Sequence, residues 1–221
     1  MNILVVNDDG IRGENLLPLL SCLDSLKLGT VYACVPAGER SGNSHSTNKY
    51  DILAENFRKS DKGENIYIHT GTASDGVKFF RKFIRTDIDL VISGVNAGFN
   101  LGRDIVYSGT VGAALEANMY GVRSIALSAR KHGKNFWPIL PGFLRKFIFD
   151  VDWMEAMCLN INFPDQEDLN DAKYVFTPVA QIAKPTTGNN DFNCCRNEGY
   201  ITVTPLKVDL TDYDNLQMLL K

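Results

Sequence analysis

Asp8 and Asp9 stand side by side where the short apolar run N-I-L-V-V, residues 2–6, gives way to N-D-D-G. Two adjacent carboxylates repel, so one of them ionises less readily unless a cation neutralises the pair. A hard divalent ion such as Mg²⁺, Mn²⁺ or Ca²⁺ takes oxygen ligands of this kind. The plainer alternative is a solvated turn in which one acid caps the next helix. Ser41, in A-G-E-R-S-G-N-S-H-S-T-N over 37–48, and Asn96, in G-V-N-A-G-F-N-L-G over 94–102, could add hydroxyl and amide oxygens to the same ion. Taken singly, each also reads as a local turn residue.

A second constellation is Y-S-G-T-V-G-A-A-L-E, residues 107–116. Ser108, Gly109 and Thr110 open a helix of small residues, whose free N–H groups and positive end make a candidate anion site. An ordinary Ser/Thr N-cap explains the same residues. No G-K-[ST] follows and no G-x-G-x-x-G opens the first helix, so neither a Walker loop nor dinucleotide binding gains support. Asp104, just upstream, is a candidate general acid or base, or an exposed loop carboxylate. His45 could polarise a phosphoryl oxygen or move a proton, or form a surface hydrogen bond. His69 lies in an apolar strand and reads as structural. His132, in R-K-H-G-K, reads as part of a solvated face.

The elements that must position these residues follow from periodicity. Residues 2–6 and Val31 to Val35 are short apolar runs, as strands buried on both faces require. Between them Leu16, Leu17, Leu20, Leu23 and Leu26 recur at helical spacing, with Gly29 as a stop. Ile66 to His69, Asp89 to Ser93 and Arg123 to Ser128 are further strands. Thr72 or Ser74 caps a helix facing inward through Val77, Phe80 and Ile84, and residues 110–120 form another helix. This alternation argues a doubly wound, Rossmann-like α/β sheet, mostly parallel, with helices on both faces. In such a sheet ligands bind beyond the carboxyl ends of the strands. The ends of the strands at 2–6, 31–35 and 89–93 deliver the three loops that carry Asp8, Asp9, Ser41, Asn43 and Asn96.

After about residue 130 the pattern changes. Pro138 and Pro141 break the chain, and Phe143, Phe147 and Ile148 then suggest a helix. Residues 158–163, 174–179 and 200–206 read as strands. With no helix visible in the polar segment between the last two, they are expected to pair antiparallel. The chain therefore divides into an α/β core, 1–130, carrying the site, and a smaller mixed portion, 131–221, completing the sheet and subunit contacts, within one domain overall.

Composition limits the function classes. The 221 residues carry 23 basic and 26 acidic side chains, a net charge of −3, with 44% hydrophobic and 22% charged residues. Disorder, collagen and coiled coil are excluded. A pI near 5.6 argues against a nucleic-acid polymer as partner. No apolar run reaches the roughly 18 residues of a membrane span, and the N-terminus lacks the build of a signal peptide. Five cysteines without ladder-like spacing suit buried thiols in a reducing cytoplasm.

The segments V-N-D-D-G, E-R-S-G-N-S-H-S, I-S-G-V-N-A-G-F-N-L-G, D-I-V-Y-S-G-T-V-G-A-A-L-E and E-G-Y-I-T-V-T-P-L, in that order, resemble the SurE stationary-phase survival proteins. That family consists of metal-dependent nucleoside monophosphate phosphatases. The resemblance covers residues 1–128 almost continuously and returns at 158–163 and 198–211. It implies a Rossmann-like fold and one divalent metal per subunit, Mg²⁺ or Mn²⁺, on Asp8, Asp9, Ser41 and Asn96. It also implies hydrolysis of nucleoside 5′-monophosphates, with 3′-nucleotides and short polyphosphate as secondary substrates, in a cytoplasmic homodimer or tetramer. Three departures stand out. The second half is short, and 185–197 lacks much of a hairpin arm. The chain stops at Lys221, where relatives continue into a helical tail. Arg103 occupies a position that is acidic in many relatives.

The expected chemistry is phosphomonoester hydrolysis. Asn43 and the Ser108–Gly109–Thr110 helix end would hold phosphate oxygens. Asp8 or Asp9 would serve as base or nucleophile, with Asp104 as a second candidate for proton transfer. A haloacid-dehalogenase phosphatase wants D-x-D where this chain has D-D. A response-regulator receiver wants a phosphoacceptor aspartate where D-L-V-I-S leads into Gly94 and Asn96. A nucleotide-binding relative without turnover would carry the same motifs.

Overall fold

The computed structural model describes residues 1–49, 58–59, 61, 63–130, 132–151, 157–180 and 188–219. Its centre is a nine-stranded sheet. Strands β1 (Asn2–Val6), β2 (Thr30–Pro36), β4 (Ile66–His69), β5 (Leu90–Asn96), β6 (Arg123–Ala129) and β7 (Cys158–Phe163) run parallel, in the spatial order β4-β2-β1-β5-β6-β7. The two-residue β3 (Arg58–Lys59) pairs antiparallel with β4 at one edge. At the other edge lie β9 (Ile201–Leu206) and β8 (Tyr174–Phe176). The strand order reverses at β1, which is flanked by β2 and β5, so a switch-point crevice opens beyond the carboxyl ends of β1 and β5.

Period-two alternation divides the core between the two faces of the sheet. Ile3, Val5, Leu90 and Ile92 face α1 (Leu16–Ser25) and α5 (Phe136–Phe149). Leu4, Val6 and Val91 face the other way, against Val77, Phe79 and Phe80 of α2 (Ala73–Phe83) and Ala113 and Ala117 of α4 (Gly109–Met119). Thr72 caps α2 in a reciprocal capping box with Asp75, one of the two caps expected from sequence. The one-turn α3 (Asp104–Tyr107) precedes α4.

The C-terminal portion corrects three expectations. First, β8 and β9 pair parallel, not antiparallel; the antiparallel neighbour of β9 is β7. The physical reason is a helix in the polar segment, α6 (Asp191–Arg196), which supplies the crossover that a parallel pair needs. It is too short and polar to leave a periodic signal, and residues 185–187 of that segment lie outside the described residues. Second, Pro138 and Pro141 do not break the chain but lie in α5. Pro138 falls in the first turn, where its missing N–H costs nothing, and Pro141 forgoes one bond in a helix anchored by Phe136, Leu140, Leu144 and Phe147. Third, the strand expected over 174–179 ends at Phe176. The last described element is the helix α7 (Tyr213–Leu219). All five cysteines are buried free thiols.

Candidate active site at the switch point

The loop after β1 is folded by Asn7. Its Oδ1 accepts the Gly10 N–H at 3.0 Å and its Nδ2 donates to the Gly10 carbonyl at 3.1 Å. Gly10 takes φ +79 with the Gly38 and Pro36 backbone against it, so no side chain fits there. This tight turn delivers the two aspartates in different environments. Asp8 is buried, and its Oδ1 accepts the Thr110 hydroxyl at 2.8 Å. Asp9 opens into a cleft of about 620 Å³ together with Glu39, Ala97, Arg130 and His132.

Burial raises both carboxyl pKa values, and Glu39 adds repulsion to both. For Asp8 the Thr110 hydroxyl works against the rise. For Asp9, with Asp8 beside it, the value reaches about 6. Such crowding of acids is what a divalent cation would relieve. Among the described residues no three His, Cys, Asp or Glu side chains cluster closely enough to hold a metal ion. A cation here would therefore draw on amide and hydroxyl oxygens as well, which are hard donors suited to Mg²⁺ or Mn²⁺. Asn96 ends β5, and its Nδ2 donates to the Gly98 carbonyl at 3.1 Å, leaving Oδ1 for another partner. Ser41 is exposed and hydrogen-bonds Glu39 at 3.2 Å. The donor chemistry thus fits a hard cation.

The helix end meets this group directly. Ser108 caps α4 by accepting the Val111 N–H. A Cβ added to Gly109 would lie 2.9 Å from Asp8 Oδ2, so the first turn of α4 abuts the buried carboxylate. Ser44 binds the loop after β2 to this turn, its N–H on the Tyr107 carbonyl and its hydroxyl on the Val106 carbonyl. His45 Nε2 lies 2.7 Å from Glu116 Oε2, so its ring is partnered by an α4 side chain rather than being a free proton carrier. Asn43, next to Ser44, is exposed and donates to the Arg40 carbonyl.

Other residues singled out from sequence sit elsewhere. Asp104 is exposed on α3, and the carboxylate it repels is the buried Asp191, not Asp8 or Asp9. Arg103 is exposed before α3 and lines neither cleft discussed here. His132 is exposed, as a solvated face requires. Its ring stacks on the buried Phe136 at 4.7 Å and forms a wall of the Asp9 cleft. Sequence reasoning missed Glu39, although it follows β2 and the strand-end rule covered it.

Sequence reasoning also missed a buried asparagine network. The Asn100 N–H donates to Asn162 Oδ1 and its Nδ2 to Ser128 Oγ, while its carbonyl accepts from both Asn160 and Asn162. This clamps the 97–102 loop onto β6 and β7. Asp191 completes the clamp, accepting the Gly102 N–H through one oxygen and the Ala180 N–H through the other.

The family model of survival protein SurE matches residues 3–185. The chain belongs to the SurE family. A 5′-nucleotidase SurE of Thermoanaerobacter sp. (strain X514) is 32% identical over 247 aligned residues, covering 99% of this chain and 97% of the relative. The 5′-nucleotidase SurE of Wolbachia pipientis subsp. Culex pipiens (strain wPip) is 33% identical over 241, covering 99% and 93%. The crystal structure of SurE protein from Aquifex aeolicus superposes with a TM-score of 0.83 at 27% identity, covering 99% and 98% of the two chains. Both alignments are longer than this chain, so these SurE relatives carry residues inside the matched length that this chain lacks. Among the described residues no helix is long and apolar enough to cross a membrane.

Proposed function

We propose that this SurE-family chain is a 5′-nucleotidase, a metal-dependent phosphomonoester hydrolase that converts nucleoside 5′-monophosphates to nucleoside and phosphate. Its secondary substrates are 3′-nucleotides and short polyphosphate. The observation that carries the reading is the meeting of Asp8, next to Asp9, with the N-terminal turn of α4 at the switch point, in a chain whose end-to-end relatives bear the name 5′-nucleotidase. It acts in the cytoplasm as a homodimer or tetramer.

In this reading Asp8, Asp9, Ser41 and Asn96 hold one Mg²⁺ or Mn²⁺. When bound, the ion polarises a phosphoryl oxygen and lowers the pKa of a water. The rest of the work falls to the chain. The N-terminal turn of α4, with Ser108, Gly109 and Thr110, presents a positive helix end to the phosphate oxygens. Asn43 reaches the same phosphate from the loop that Ser44 ties down. Thr110 orients Asp8 and favours its charged form against the effect of burial. Asp9, open to the cleft, is the base or nucleophile directed at phosphorus.

The test is phosphate release from a panel of nucleoside 5′-monophosphates and p-nitrophenyl phosphate with Mg²⁺, Mn²⁺ or EDTA. Metal-dependent release that Asp9→Ala abolishes is the expected outcome. Nucleotide binding without release, whatever the metal, would overturn turnover and leave a binding protein.

A further inference from the structure

A second cleft, of about 440 Å³, lies beyond the carboxyl ends of β6 and β7 and is lined by Phe99, Arg130 and Arg196. It belongs to the same sheet edge as the Asp9 cleft, and Arg130 lines both. Two pieces of chain fix the separation. Phe99 follows Asn96 by three residues, which span at most about 11 Å. Arg130 lies two residues beyond Ser128, the residue paired with Asn96 in the β5–β6 register. That is the scale of one nucleotide.

The walls are held in place. Phe99 immediately precedes Asn100, whose four buried hydrogen bonds clamp the loop. The Phe99 ring takes the Arg130 guanidinium at 5.3 Å and that of Arg196 at 5.6 Å, and Phe192 supports Arg196 from α6 at 5.5 Å. Arg130 is also ion-paired with Asp165. Arg196 makes no ion pair among the described residues; aromatic faces of Phe99 and Phe192 meet its guanidinium at the cleft.

The charge balance decides what fits. Two guanidinium groups are offset by two acids of the same lining, Asp165 and Glu198. A further phosphate would find no net positive field. A planar, polar, uncharged group would find guanidinium and phenyl surfaces to stack on, with Asn197 and Glu198 to meet its edge.

We propose that this cleft is the nucleobase subsite, with Arg196 and Phe99 as the residues that select a nucleoside over a bare phosphoester. The assignment rests on the nucleotidase reading for the position of the phosphate. Arg196 ends the short helix α6, so the selectivity is built from the C-terminal portion of the chain.

The experiment measures kcat/KM for a nucleoside 5′-monophosphate and for ribose 5-phosphate, which lacks the base. The wild type is compared with Arg196→Gln and Phe99→Leu. Stacking of one base predicts that the ratio of the two values falls about tenfold in each variant, mainly through KM for the nucleotide. An unchanged ratio in both overturns the proposal, and so does an equal loss on both substrates, which would mark a structural role. Equilibrium dialysis with adenosine and guanosine separates this from the phosphatase reading. If no phosphoester is turned over, nucleoside binding weakened by Arg196→Gln still supports the subsite. Absence of nucleoside binding, or binding unaffected by either substitution, rejects it.

Discussion

The hydroxyl of Thr110 donates to Asp8 Oδ1 at 2.8 Å, tying the first turn of α4 to the end of β1 across 102 positions of sequence. A buried carboxylate needs such a donor, because burial by itself drives it toward the neutral acid. Thr110→Val keeps the shape and removes the donor. It is expected to cost about 2 kcal/mol of stability, the worth of a hydrogen bond to a charged group, and to lower kcat/KM at least about tenfold. Thr110→Ser should retain most of both. Urea unfolding and steady-state kinetics on the three proteins check this.

Asp9 is expected to separate function from stability. Its carboxyl is raised to about 6 by burial and by Asp8 and Glu39, so in the metal-free protein its charge at neutral pH opposes folding. The sign is that of a raised acid: the penalty is absent below the ordinary value and grows as pH rises through the folded value. Asp9→Asn in EDTA at pH 7.5 should therefore unfold at higher urea, by about 1–2 kcal/mol after allowance for partial exposure. Its phosphatase activity with Mg²⁺ should be lost. A destabilised Asp9→Asn protein would contradict this account of the strain at the strand end.

His69 has the opposite dependence. Burial pushes its imidazole down to about 4, with the charges of Asp75 and Arg40 nearby acting in opposite directions. Its ring stacks on Phe79, and Nδ1 accepts the Gly71 N–H at 3.1 Å, which requires the neutral form. A lowered histidine contributes stability that is fully present above pH 6.5 and is lost as pH falls toward 4. Between pH 7.5 and 5 the loss from this group should be about 2 kcal/mol. Urea midpoints at the two pH values, for wild type and His69→Gln, isolate it as the difference between the two slopes.

Much of this architecture is written in local pattern. β1 and β4 have the boundaries their apolar runs announce, and the N-D-D-G turn is legible because Asn7 and Gly10 are the types such a turn demands. What stayed hidden depends on long-range partners. Asn100, Asn160 and Asn162 are ordinary polar residues in sequence and become a clamp only when the sheet brings them within 2.8–3.1 Å. The parallel pairing of β8 and β9 rests on α6, six residues with no apolar period of their own. Pro141 reads as a breaker because sequence registers the missing donor, but not the core that holds α5 in spite of it.

Asn100 should be among the costliest positions outside the carboxylate pair. Asn100→Ala strands Ser128 Oγ in the interior and loosens the loop between Asn96 and Asp104. A loss of about 2–3 kcal/mol follows from leaving a buried partner unsatisfied, and kcat/KM should fall with it, since Asn96 and Phe99 share the loop. Thermal unfolding and steady-state kinetics read the two effects. Asn100→Ala with wild-type stability would show that the clamp is dispensable.

Two helical glycines give opposite expectations for the same substitution. Alanine is favoured over glycine in a helix by about 1 kcal/mol. Gly142 in α5 has nothing within 4 Å of a built Cβ, so Gly142→Ala should stabilise by most of that amount. At Gly112 in α4 the same Cβ would lie 2.8 Å from His45 Cα and 2.9 Å from the Ser44 carbonyl oxygen, both backbone atoms that cannot rotate away. Gly112→Ala must push the loop after β2 off the helix, against the Ser44 bonds and the 2.7 Å His45–Glu116 contact. It should lower stability in spite of its helix propensity, and reduce kcat/KM at least about tenfold by withdrawing Ser41 and Asn43 from the strand-end site. Urea midpoints of opposite sign for the two variants, with activity lost only in Gly112→Ala, are the expected pair. Unaltered activity in Gly112→Ala would separate that loop from the chemistry altogether.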